Sequence, residues 1–145
     1  MPTEHFRPLV AVYLLFVRDG EILLSRRAGT GYMDGMYSLV AGHIDGGETL
    51  RIAAAREVQE EAGVDIAVDD LRLKVVMHRP GDKEYIDFFF EPAKWQGELT
   101  NMEPHKCDDL HWFPLDALPD DVVLYVREAI RAYREGVGYV EWGWG

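Results

Sequence analysis

The chain has 145 residues, of which 48% are hydrophobic and 28% charged, with a formal net charge of −11. That length and balance fit a single soluble domain over residues 1–145 with a sizeable core. The excess of acid argues against a nucleic acid polymer or an anionic membrane surface as partner, and an anionic substrate would need bound cations to reverse the local field.

Leu9 to Val17 is dense in β-branched and aromatic residues and predicts a buried strand. With Arg18 following, this apolar run is too short to span a membrane, and no small-residue cleavage site follows it. Arg18-Asp19-Gly20-Glu21 is turn chemistry, and Ile22 to Arg27 predicts the returning strand. Alternation puts Arg26 and Arg27 on opposite faces, as solvated strand-end charges or with one facing a phosphate. Ala28 to Gly35 is a glycine-rich loop around Tyr32, which is either a packing cap or a substrate contact. Met36 to Val40 predicts a short strand.

A helix is expected from Glu48 or Thr49 to a C-terminal stop at Gly63. Apolar residues point in several directions around it, so cover on more than one side is expected. Val64 to Val68 is a short strand candidate. Leu71 to His78 and Glu84 to Glu91 predict a hairpin turning at Pro80-Gly81-Asp82, and Leu110 to Phe113 a last short strand. Asp121 to Glu135 predicts the terminal helix, with Asp120 as a possible cap. The tail GVGYVEWGWG has no regular period. Cys107 is the single cysteine, so an internal disulfide is excluded and a reducing, cytoplasmic location is expected.

The segment Gly42 to Val64 carries the chemistry. At about 100° per residue, Glu57, Glu60 and Glu61 fall within one arc of roughly 100°. Three carboxylates so close repel one another unless a cation sits among them. Hard divalent ions prefer carboxylate oxygens and complete their shell with substrate phosphates. The pattern therefore calls for metal-assisted attack of water on phosphorus, with one carboxylate free to act as general base. A solvated helix face is the plain alternative for EVQEEAG alone. Nine positions at fixed spacing have chance odds on the order of 10⁻⁸.

That spacing resembles the signature of the Nudix hydrolases: Gly42, Glu48, Arg56-Glu57-Val58, Glu60-Glu61 and Gly63-Val64. The resemblance implies an α/β fold, an α/β/α sandwich around a mixed sheet, and hydrolysis of nucleoside diphosphate-linked substrates with Mg²⁺ or Mn²⁺. It assigns metal to Glu57, Glu60 and Glu61 and to the carbonyl of Ala41. Activation and orientation of water fall to Glu57 or Glu61 and to Glu48, and a structural role falls to Gly42, Arg56 and Gly63. A looser resemblance to MutT-like members implies a phosphate contact at Arg27, a further metal carboxylate at Glu103 and base contacts near Asp120 and Asp121.

Three functions follow as expectations. The first is hydrolysis of a nucleoside triphosphate, standard or oxidised, to monophosphate and pyrophosphate, which suits a short chain of this kind. The second is cleavage of a dinucleotide-type substrate such as ADP-ribose, and the third a non-catalytic nucleotide sensor. The expected partner is a small nucleotide, and the expected state a monomer or homodimer.

Overall fold

The computed structural model describes residues 4–145. Its frame is a five-stranded mixed sheet built on β1 (Leu9–Leu14). The sheet also holds β5 (Val40–His43), β6 (Leu71–Pro80), β7 (Glu84–Pro92) and β9 (Tyr139–Glu141), in the order β5-β1-β7-β6-β9. β1 runs parallel to β7 and antiparallel to β5; β6 pairs antiparallel with β7 and parallel with β9. A second sheet centres on β3 (Glu21–Arg27), flanked by β2 (Val17–Arg18) and β4 (Tyr37–Ser38) and by β8 (Cys107–Pro114).

Alternation along β1 builds two cores at once. Val12 and Leu14 face one layer with Phe90 and the buried side of α1 (Leu50–Ala62), namely Ala53, Ala54, Val58 and Ala62. Ala11 and Tyr13 face the other, with Met77, Phe89 and the apolar stripe of α2 (Leu124–Glu135) through Val126, Ala129 and Ile130. The main sheet is thus sandwiched between the two helices. Only one face of α1 is buried, and Ile52 is 48% exposed, contrary to the expected cover on several sides.

Several boundaries differ from the sequence expectation for identifiable reasons. The apolar run Leu9–Val17 is not one strand: the chain passes from the first sheet to the second at Leu15-Phe16, both fully buried. Apolarity continues through the switch, so the sequence does not mark it. Leu39 makes the same passage between β4 and β5 within the expected strand Met36–Val40. Val64 to Val68 alternates in burial but finds no neighbouring strand, only a bridge from Asp65 to Gln96, and a 3₁₀ turn follows at Val68–Asp70. β8 begins earlier than expected, at Cys107.

The terminal helix begins at Leu124, not Asp121. Residues 121–123 are held extended, with Tyr37 N–H donating to the Asp121 carbonyl and Val123 N–H to the Tyr37 carbonyl. Val123 takes the cap position and no side chain caps the helix, so Asp120 does not. The unassigned tail supplies β9, and Trp144 Nε1 donates to the His78 carbonyl at 3.0 Å. The Asp19-Gly20 turn is as expected, both residues with positive φ, which matches the right-handed twist of the flanking strands.

Candidate active site

The loop before α1 is built around one close approach. A Cβ on Gly42 would lie 2.1 Å from Cδ of Glu57, so only glycine lets the carboxylate lie against β5. Thr49 caps α1 by accepting the Ile52 N–H at 3.1 Å. Gly63 ends it in the left-handed region at φ 71°, with its N–H shared by the Val58 and Gln59 carbonyls.

Arg56 ties the loop to the helix. Its Nη2 donates to Glu48 at 2.6 Å and its Nη1 to Glu57 at 3.0 Å, while Asp45 and Glu60 lie 3.5 and 3.6 Å away. The hydrogen bonds from Arg56 hold Glu48 below the usual carboxylate range. Glu48 lies outside the helix as a partner of Arg56.

Above this joint opens a cavity of about 790 Å³, large enough for a nucleotide-sized ligand. Glu57, Glu60, Glu61, Glu103 and Ala41 line it, together with Arg27 and Tyr32. Glu48, Asp120 and Asp121 do not; the two aspartates are exposed in the turn before α2. Arg27 here serves its own loop, with Nε donating to the Tyr32 carbonyl at 2.7 Å and Nη2 to Thr30.

Burial pushes the Glu61 carboxyl up to about 9, helped by the negative charges of Glu57 and Glu103. Burial also raises Glu57, against the opposing pull of Arg56. Glu61 Oε2 is buried with no hydrogen-bond partner. Among the described residues, no three acidic, histidine or cysteine side chains already form a ligand cluster. An orphaned carboxylate oxygen beside two further acids nevertheless suits a hard divalent cation, which would relieve the repulsion and satisfy the oxygen. The donor set fits such an ion.

Reasoning from the sequence missed the far wall of this cavity. Tyr13, Arg79, Tyr85, Tyr125 and Lys106 also line it. Tyr13 was hidden in an apolar strand. Arg79 had a usable signal, because it follows Val75 and Met77 on the inward face of β6, while Asp87 falls among the inward residues of β7. Opposite charges at diagonal inward positions, Arg79 facing Tyr85 and Asp87 facing Met77, are uncommon in a sheet core.

The chain matches the NUDIX domain family model over residues 5–133. It belongs to the Nudix family. Curated relatives include the NAD-capped RNA hydrolase NudC of Escherichia coli O1:K1 / APEC, 31% identical over 118 residues, covering 80% of this chain and 44% of that protein. The protein of the same name from Pseudomonas aeruginosa LESB58 is 32% identical over 109 residues, with 75% and 37% covered. This Nudix chain therefore spans less than half the length of those relatives.

Among solved structures, a MutT NUDIX hydrolase from Burkholderia pseudomallei superposes with TM-score 0.79 at 28% identity, covering 87% of this chain and 98% of its own. A bifunctional NMN adenylyltransferase/ADP ribose pyrophosphatase from Francisella tularensis, complexed with AMP and a manganese ion, shares the fold at TM-score 0.74 and 18% identity, with 94% and 44% covered. The chain has the mixed-sheet sandwich of that family. Nudix hydrolases cleave pyrophosphate bonds in nucleotide-linked substrates and generally use divalent metal ions. Among the described residues, no helix is long and apolar enough to cross a membrane.

Proposed function

We propose that this Nudix hydrolase acts, as one cytoplasmic domain, on a free nucleoside triphosphate, releasing the monophosphate and pyrophosphate. The observation that carries the reading is the pair of half-buried carboxylates, Glu57 and Glu61, at one wall of a cavity that also presents the cations Arg27 and Lys106.

Glu57, Glu60, Glu61 and Glu103, with the backbone of Ala41, would hold Mg²⁺ or Mn²⁺. When bound, such an ion screens phosphate charge and acidifies water. The remaining work belongs to the chain. Whichever oxygen of Glu57 or Glu61 remains free accepts the proton of the attacking water. Arg56 fixes the direction of Glu57, and Glu48 completes that clasp. Arg27 is within reach of a phosphate only by exchanging its loop contacts with Tyr32 and Thr30 for it. Substrate entry and ordering of the 28–35 loop are then coupled.

A second reading, a dinucleotide of the NAD or ADP-ribose type, is favoured by the curated relatives and by the tyrosine-rich far wall, which offers ring faces to a second nucleoside. Chromatography of products from a nucleotide panel with Mg²⁺ or Mn²⁺ separates the two. Pyrophosphate and a monophosphate from triphosphates support the first reading. AMP with a second monophosphate from NAD, or with ribose phosphate from ADP-ribose, supports the second. An NAD-capped oligonucleotide in the panel tests the polymeric form of that substrate. No turnover of any of them would refute both.

A further inference from the structure

Arg79 stands out on the far wall of the cavity. It is only 5% exposed, yet it lines the cavity. Its Nε donates to Asp87 Oδ2 at 2.5 Å, and among the described residues Asp87 is its only hydrogen-bond acceptor. Its guanidinium carbon lies 3.6 Å from the ring centre of Tyr125 and 4.3 Å from that of Tyr85. The plane of the guanidinium is thus fixed on one edge by a carboxylate and on its faces by rings. Four N–H groups on Nη1 and Nη2 have no acceptor among the described residues, on a side chain that lines the cavity.

Place and charge indicate what they meet. Arg79 reaches from β6 to Asp87 on β7, which lies two strand spacings, about 10 Å, from β5, so its head group is set apart from the carboxylates that flank Gly42 and Ala41. In a bound nucleotide that far end belongs to the base when the phosphates lie beside Glu57 and Glu61. Asp87 is fully buried and balances the charge of Arg79, and Asp82, bonded to the Tyr85 hydroxyl at 2.6 Å, adds another negative charge at this wall. This end offers a phosphate little attraction, but it offers a neutral acceptor a preoriented fork of donors.

We propose that Arg79, held by Asp87, reads the carbonyl edge of the substrate's nucleobase, so that guanine and uracil are preferred over adenine and cytosine. The inference rests on the nucleotide reading above. The distinguishing chemistry is simple: a guanidinium only donates, so a ring carbonyl pairs with it, whereas the exocyclic amino group of adenine or cytosine presents a second donor. Asp87 is out of reach of the ligand and is a positioning residue. Tyr32, 45% exposed on the loop over the same cavity, supplies a ring face for the base.

Calorimetric binding of GMP, UMP, AMP and CMP to the full chain tests this directly. These monophosphates contain no pyrophosphate bond, so their affinities are readable whether or not the hydrolysis assignment survives. The wild-type chain is expected to bind GMP and UMP about ten-fold or more tighter than AMP and CMP. Arg79→Gln, whose amide both donates and accepts, should bring that ratio near one. Arg79→Lys keeps a donor and the Asp87 partner and should retain part of the preference. Asp87→Asn should lower the ratio without abolishing nucleotide binding. Circular dichroism checks that each variant folds; if Arg79→Gln does not, the wild-type ratio and Arg79→Lys decide. Equal wild-type affinities, failure of all four to bind, or a loss in the variants that is uniform across the bases would overturn the proposal.

Discussion

Gly42 and Glu57 show how closely backbone and chemistry are joined. Placing a Cβ 2.1 Å from the Glu57 carboxyl carbon leaves no room for both, so Gly42→Ala should displace the carboxylate. Turnover should fall at least about ten-fold, with overpacking costing about 1–3 kcal/mol; kinetics beside thermal melts would separate the two effects. Glu61 leads to a pH prediction. Its carboxyl ordinarily titrates near 4.5 and is pushed up to about 9 in the fold, chiefly by burial. Between those values the metal-free folded chain holds a proton that the unfolded chain has released. Stability therefore falls as pH rises through that window, with the favourable contribution fully present below 4.5 and lost above about 9. Glu57 shifts in the same direction. Glu61→Gln, neutral and of the same shape, should flatten this slope in metal-free melts. An unchanged slope would mean that Glu61 is ionised and solvated in the fold.

α1 carries Glu57, Glu60 and Glu61 into the cavity wall, and a cap at each end holds it. Thr49→Ala removes the acceptor for the Ile52 N–H and should cost about 1 kcal/mol. Gly63→Ala forces a side chain into φ 71°, at least about 1 kcal/mol, and brings its Cβ to 3.0 Å from Met102 Sδ. Met102 adjoins Glu103, so this second change should also lower turnover, whereas Thr49→Ala should mainly lower the melting temperature. Denaturant titration with matched kinetics distinguishes them. Arg56 acts at the same scale: with its bonds to Glu48 and Glu57 removed in Arg56→Met, the glycine loop loses its tie to the helix. The expected signature is a loss in turnover larger than the loss in stability, because the ion pairs are part-exposed.

Across the whole molecule, the frame and the acidic wall were legible because local patterns encode them. Alternation marked the β6–β7 hairpin, Gly63 marked the end of α1, and the fixed spacing marked the carboxylates. The sheet switches at Leu15-Phe16 and Leu39 were not legible, because a residue buried between two sheets looks the same as one within a strand. The far wall was hidden for another reason: Tyr13, Arg79 and Tyr125 come from β1, β6 and α2 and meet only through packing. A net charge of −11 also acts at this scale, since divalent ions that bind the folded state should raise its melting temperature. The central claim is that Glu57 and Glu61 form the metal-dependent hydrolytic site. Its most direct test is Mg²⁺-dependent turnover and melting of the wild type beside Glu57→Gln and Glu61→Gln, using the wild type's best substrate. Each variant should fold, lose about a hundred-fold or more in turnover, and show a smaller Mg²⁺-induced rise in melting temperature; near-normal turnover in both variants would contradict the assignment.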